Sequence, residues 1–203
     1  LLVAWFGWGR AGDPEQLTWL VGGYGIVASA TAFRWRQAWV QRVAGLLLLV
    51  AIAQGVVYGP WQIDASRSTL WLLALLSHAT LMGLMATVAG LRRVDARDAV
   101  LIPSAAWSLG SAALTALVIV ADSMLWSRAV PTGYVTWIAL ILLNLAWACN
   151  SYTFFAAFQA ALAVALMVFV DHRLETQPWY VSAEPDWLHP IRLQWQGIAL
   201  ASY

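Results

Sequence analysis

Between Tyr134 and Val170 the chain runs for 37 residues without a Lys, Arg, His, Asp or Glu. Backbone amides surrounded by hydrocarbon can be satisfied only inside a helix or a closed barrel, so an uncharged run of this length reads as membrane-spanning helix. One helix of that length would reach about 55 Å at 1.5 Å per residue. The hydrocarbon core is only about 30 Å thick. The pair Asn150-Ser151 favours a turn, and the preferred reading divides the stretch there into two short spans, 134–148 and 152–170, joined as a tight hairpin; the alternative is a single span over 134–170.

The same criterion finds four further spans, at 17–33, 43–61, 69–91 and 99–120, each bounded by arginine or by a turn signal such as Gly59-Pro60. The expected fold class is an all-α membrane protein with about six transmembrane helices in three tandem hairpins. Composition agrees: 62% of residues are hydrophobic and 10% charged, against roughly 45–50% and about 25% in soluble domains. All 11 basic residues are arginine, and 10 acids nearly cancel them, which leaves no field suited to nucleic acid. The single cysteine, Cys149, can form neither an internal disulfide nor a cysteine metal site.

Arginine placement sets the expected orientation. Arg34, Arg36 and Arg42 follow span one, and Arg92, Arg93 and Arg97 follow span three, whereas the loops after spans two and four hold only Arg67 and Arg128. Short positive loops favour the cytoplasmic side, so turns 34–42 and 92–97 are expected in the cytoplasm of a bacterial cell. The net acidic segment 171–192 is then a non-cytoplasmic loop, lying along the interface through Trp179, Tyr180 and Trp187. Residues 193–203 read as the start of a further span. The chain opens LLVAWFGW and closes in this apolar run, and is expected to be part of a longer polypeptide.

The segment TWLVGGYGIVASATAFRWRQAWVQRVAGLLLLVAIAQ carries Trp19, Tyr24, Arg34, Arg36, Arg42, Gly45 and Leu46 in an order that resembles the uncharacterised bacterial multi-pass membrane proteins of domain-of-unknown-function family 2339. Their recurring element is an aromatic span, an Arg-x-Arg turn, Arg-x-x-Gly-Leu and a Leu-rich span. The resemblance implies architecture and membership of a longer chain, and no activity.

Few groups in the spans could carry chemistry. His78, in LLSHATLMG, is the one His, Asp, Glu, Lys or Arg deep in a span. Such residues are candidate functional sites, here for a haem or pigment ligand or a proton relay. The commoner use of a lone intramembrane histidine is a hydrogen bond to a neighbouring helix. Gln54, Asn144, Asn150 and Gln159 are the intramembrane amides, suited to ion or hydroxyl contacts and more often to interhelical hydrogen bonds. Trp71, Trp107, Trp137 and Trp147 serve packing and anchoring, or a pigment pocket. Gly22, Gly23 and Gly25 with Ala28 and Ala30, and Gly110 with Ala112 and Ala113, mark close helix approach.

No phosphate loop, nucleophile elbow, zinc-ligand pair or carboxylate pair is present, so no catalytic residue and no metal site is assigned, and no cofactor is identified. The function expected is an integral membrane scaffold or accessory subunit, with lipids and other membrane helices as partners. The alternatives are a piece of a transporter or envelope lipid or polymer handler, with Gln54, His78 and Asn144 lining a polar path, and a pigment- or haem-binding subunit using His78.

Overall fold

Among the described residues, Arg36 and Asn150 are the two non-glycine residues whose backbone turns left-handed, at φ 55° and 49°, and each closes a hairpin. The computed structural model describes residues 14–57, 66–91, 97–126, 132–177, 180 and 190–202. Every regular element among them is helical: α1 (Pro14–Trp35), α2 (Ala38–Val57), α3 (Arg67–Leu91), a π-helical turn (Arg97–Leu101), α4 (Ile102–Trp126), α5 (Thr132–Cys149), α6 (Tyr152–Glu175) and α7 (Pro190–Ser202). The expected turns at Gly59-Pro60 and at Arg92 and Arg93, and the interfacial Trp179 and Trp187, lie outside the described residues.

The Asn150 turn has a local cause. The Ser151 amide donates to the Ala146 carbonyl at 3.0 Å and the Asn150 amide to the Trp147 carbonyl at 3.3 Å, the paired bonds of a Schellman stop. Asparagine tolerates the left-handed conformation this requires better than most side chains. The uncharged stretch of 37 residues is therefore two helices, as its length demands.

The π-helical turn precedes Pro103, the second residue of α4. Proline offers no N–H and its ring crowds the carbonyl four residues back, and a widened turn accommodates both.

The expected hairpins form, α1 with α2, α3 with α4 and α5 with α6. By length and composition α2 to α6 can each cross a membrane. The chain is an all-α multi-pass membrane protein. α1 occupies the first expected span but is not among those five; Trp19, Tyr24 and three glycines dilute its apolar content. Helices also outrun the uncharged segments. α2 begins at Ala38, five residues before the expected Val43, and α6 continues to Glu175. Residues 171–175 and 190–192, expected as loop, are thus helical, with Arg173 in the last turn of α6 where a cation suits the dipole.

α3 lies at the centre, packed on α2, α4 and α5, while α1 and α6 flank the bundle. Half of the apolar window of α3 is buried, against 6% for α6. Ala74, Ala79, Ala86 and Ala89 of α3 are fully enclosed. Small side chains let backbones approach closely and gain dispersion contacts that lipid cannot match.

The small-residue expectation holds in part. A Cβ on Gly25 would come within 2.9 Å of Leu48, whereas Gly23 and Gly110 have no atom within 4 Å of such a position. Ala30 and Ala113 are exposed as well. With 3.6 residues per turn, only one face of each small-residue cluster can meet the neighbouring helix.

Candidate functional site

α4 presents Ser104, Ser108, Ser111 and Thr115 at steps of four, three and four, which puts four hydroxyls on one helical face. Each is at most 2% exposed, and the face is turned towards α2 and α3. Ser108 donates to the Ala79 carbonyl of α3 at 2.7 Å, and Thr115 back to the Ser111 carbonyl of its own helix at 2.8 Å. Ser104 meets Gln41 Nε2 of α2 at 3.0 Å.

His78 occupies the centre of this face, fully buried. Its Nε2 lies 3.0 Å from the Gly45 carbonyl of α2, and its Nδ1 lies 2.8 Å from the Ser111 hydroxyl of α4. A carbonyl can only accept, so Nε2 carries the proton. In the neutral ring Nδ1 then accepts from Ser111. The imidazole ties three helices together through both nitrogens. Binding a metal or pigment through either nitrogen would mean giving up one of these bonds.

Trp107 completes the cluster. Its indole stands edge-on to the His78 ring, with centroids 5.9 Å apart and planes at 86°, and its Nε1–H donates to the Arg42 carbonyl at 3.1 Å. The ring fills the space beside Gly45, where a Cβ would lie 2.4 Å from Trp107 Cδ1 and Nε1. Glycine at position 45 is what allows α2 to come near enough for its carbonyl to receive the histidine proton.

Asn144 belongs to a separate contact, between α3 and α5. Its Oδ1 accepts from the Thr87 hydroxyl at 2.8 Å, and Trp137 Nε1 donates to the Thr80 hydroxyl two turns away at 2.8 Å. Gln54 is half-buried on α2, nine residues beyond Gly45, and Asn150 is an exposed turn residue. The four candidates are therefore not gathered into one site. Of the intraspan tryptophans, Trp107 and Trp137 join helices, while Trp71 and Trp147 are largely exposed.

Gln41 and the α4 hydroxyls are the residues that sequence reasoning missed. Gln41 is fully buried, and its Oε1, like Ser29 Oγ, has no hydrogen-bond partner among the described residues. The serine spacing was a usable signal, since hydroxyls at one face of an apolar helix must point at another helix or at lipid. Gln41 was hidden by its place beside Arg42, inside what read as a turn. Among the described residues no three His, Cys, Asp or Glu side chains gather where they could hold a metal ion.

Compared with known proteins, the chain matches no family model, no curated protein and no solved structure.

Proposed function

We propose that this chain is an integral membrane scaffold or accessory module that packs against other helices in a larger assembly, in a bacterial cytoplasmic membrane with the turns at 34–42 and 92–97 on the cytoplasmic side. The observation that carries the reading is Gln159. It is an exposed residue of α6, the span with the highest mean hydropathy, 2.2. Gln159 lies seven residues into that helix, roughly 10 Å from its start. It makes no hydrogen bond to the described residues.

An amide left unpaired in hydrocarbon costs on the order of several kcal/mol, and a hydrogen bond to another helix removes that cost. Meanwhile the hydroxyls of α4 and both nitrogens of His78 are spent on internal helix contacts, which favours a structural role over a polar transport path.

The test is in vivo crosslinking with a photoreactive amino acid at Phe155 or Gln159, followed by extraction in mild detergent. Protein adducts at these positions, weakened by Gln159→Leu, are expected. A chain that extracts as a lone monomer and crosslinks only to lipid would overturn the proposal.

A further inference from the structure

Between α3 and α5 a cleft of about 300 Å³ opens from the bundle surface, lined by Thr80, Gly83 and Leu84 on one side and by Trp137, Leu140 and Asn144 on the other. These positions recur at helical spacing on each helix, so the cleft is a slot running along the helices. From Trp137 to Asn144 it extends seven residues, about 10 Å. Its lining is apolar except at the two ends.

The polar groups at those ends differ. At one end the Thr80 hydroxyl donates to the Leu76 carbonyl at 2.8 Å and accepts the Trp137 indole proton at 2.8 Å, so its proton is used and the indole is satisfied. At the other end Thr87 has one hydroxyl proton and two acceptors, Asn144 Oδ1 at 2.8 Å and the Gly83 carbonyl at 3.1 Å. The shorter contact takes the proton, which occupies Oδ1. Asn144 Nδ2, packed over Gly83 where a Cβ would lie 2.9 Å away, has no acceptor among the described residues. An unspent donor thus sits at the end of an apolar slot.

The occupant must supply an acceptor and fit the slot. A helix about 10 Å across takes roughly 800 Å³ over this length, so a neighbouring helix could place only a side chain in the slot. A single lipid chain is of the right form, and the volume is near the lower end of about 300–1,000 Å³ found for small-molecule sites.

Depth narrows the chemistry further. Asn144 lies five residues before the end of α5, and Gly83 eight before the end of α3, which places the donor about 8–12 Å from the helix ends. The head that reaches it is neutral and carbonyl-bearing, because a charged head would have to leave water to do so. We propose that this slot binds a neutral single-chain lipid with a carbonyl head, the chemistry of a prenyl quinone, its carbonyl accepting from Asn144 Nδ2 and its chain lying along Leu140 and Leu84 towards Trp137. The inference stands independently of the scaffold reading.

The experiment uses the full chain in phosphatidylcholine nanodiscs, with a prenyl benzoquinone carrying a diazirine on its tail as the probe. Labelled peptides are mapped by mass spectrometry. Labelling is expected on residues 80–84 and 137–141, competed by unlabelled prenyl benzoquinone and not by added phospholipid. Asn144→Leu is expected to reduce it at least several-fold, and so is Leu140→Trp, which fills the slot and leaves the Thr87 contact intact. Circular dichroism and thermal unfolding confirm that each variant is folded, and if one is not, the other decides. Labelling scattered over all helices, equal competition by phospholipid, or indifference to the folded variant would each overturn the proposal.

Discussion

The Nε2 proton of His78 is donated to the backbone carbonyl of Gly45, 33 residues earlier in the chain and on another helix, at 3.0 Å. The bond exists because residue 45 has no side chain, so Trp107 of α4 can lie against α2 beside it. An imidazole, a glycine and an indole thereby fix the mutual approach of three helices.

Gly45→Ala tests that approach directly. The added Cβ would lie 2.4 Å from two Trp107 ring atoms, so the indole must move and both its bond to Arg42 and the His78 contact are strained. Overpacking of this kind costs about 1–3 kcal/mol, more than the roughly 1 kcal/mol that alanine gains in helix propensity. Thermal unfolding in detergent should show a lower midpoint for Gly45→Ala. Gly23→Ala, facing open space, should be unchanged or raised.

His78→Leu removes two interhelical hydrogen bonds and leaves the Ser111 hydroxyl without its acceptor. Such bonds average about 0.6 kcal/mol each and reach about 1.7 in membrane proteins. A loss of roughly 1–3 kcal/mol is expected in denaturant titration of the detergent-solubilised protein. If Ser111→Ala is added to His78→Leu, the second change should cost little, because the two residues share one bond. Full additivity would contradict the shared contact.

Asn150→Gly is expected to preserve the α5–α6 hairpin within about 0.5 kcal/mol, since glycine adopts φ 49° without steric penalty. Asn150→Val places a β-branched residue in the same conformation and should destabilise by about 1–2 kcal/mol. Comparing unfolding midpoints of the two variants separates the conformational requirement from any need for the amide itself.

How much of this could be read from the sequence follows from the range of each interaction. The hairpins were legible because solvation by a bilayer acts on whole uncharged runs, and the break at Asn150 because a left-handed turn has a local residue preference. Helix ends were less so. α6 keeps its backbone bonds past Val170 and carries Asp171 and Arg173 outward on the same helix, so charge marked where the apolar surface stops and not where the helix does. His78 stood out as a solitary ionisable group, but its partners are a hydroxyl and a main-chain carbonyl, each 33 residues distant, which no periodicity reveals. The cleft beside Asn144 depends on how two helices lie together, and neither helix alone predicts it.

Asp171 ties α7 to α6. Its Oδ1 accepts from Arg192 Nε at 2.6 Å and from Gln196 Nε2 at 2.7 Å, with the ion-pair side chains only 12% and 14% exposed. Hydrogen bonding to Asp171 raises the Arg192 guanidinium above its already high ordinary range, so it stays charged at any pH the fold survives. Hydrogen bonds to charged groups contribute about 1.5–3 kcal/mol. Asp171→Ala should therefore speed amide exchange across residues 190–202 by roughly tenfold to a hundredfold, with α3 and α4 unaffected. Uniform protection of α7 in the variant would show that apolar contact alone holds it.

Gln41 and Ser104 make one bond between them, yet replacing either should have opposite consequences. Gln41 is fully buried with Oε1 unpartnered among the described residues, so the native protein bears the desolvation cost of that oxygen and recovers only the bond from Nε2 to Ser104 at 3.0 Å. Ser104→Ala leaves Nε2 only a 4.0 Å contact with Met85 sulfur and strands the amide in an apolar contact. The cost is about 1–3 kcal/mol. Gln41→Met keeps the length of the side chain and removes both polar atoms, while the Ser104 hydroxyl can turn back to a carbonyl of its own helix as Thr115 does. That variant should be neutral or more stable by up to about 1 kcal/mol, and the double variant should match it. Unfolding midpoints of the three proteins decide the matter; a Gln41→Met variant that loses as much stability as Ser104→Ala would mean that Oε1 has a partner in the membrane.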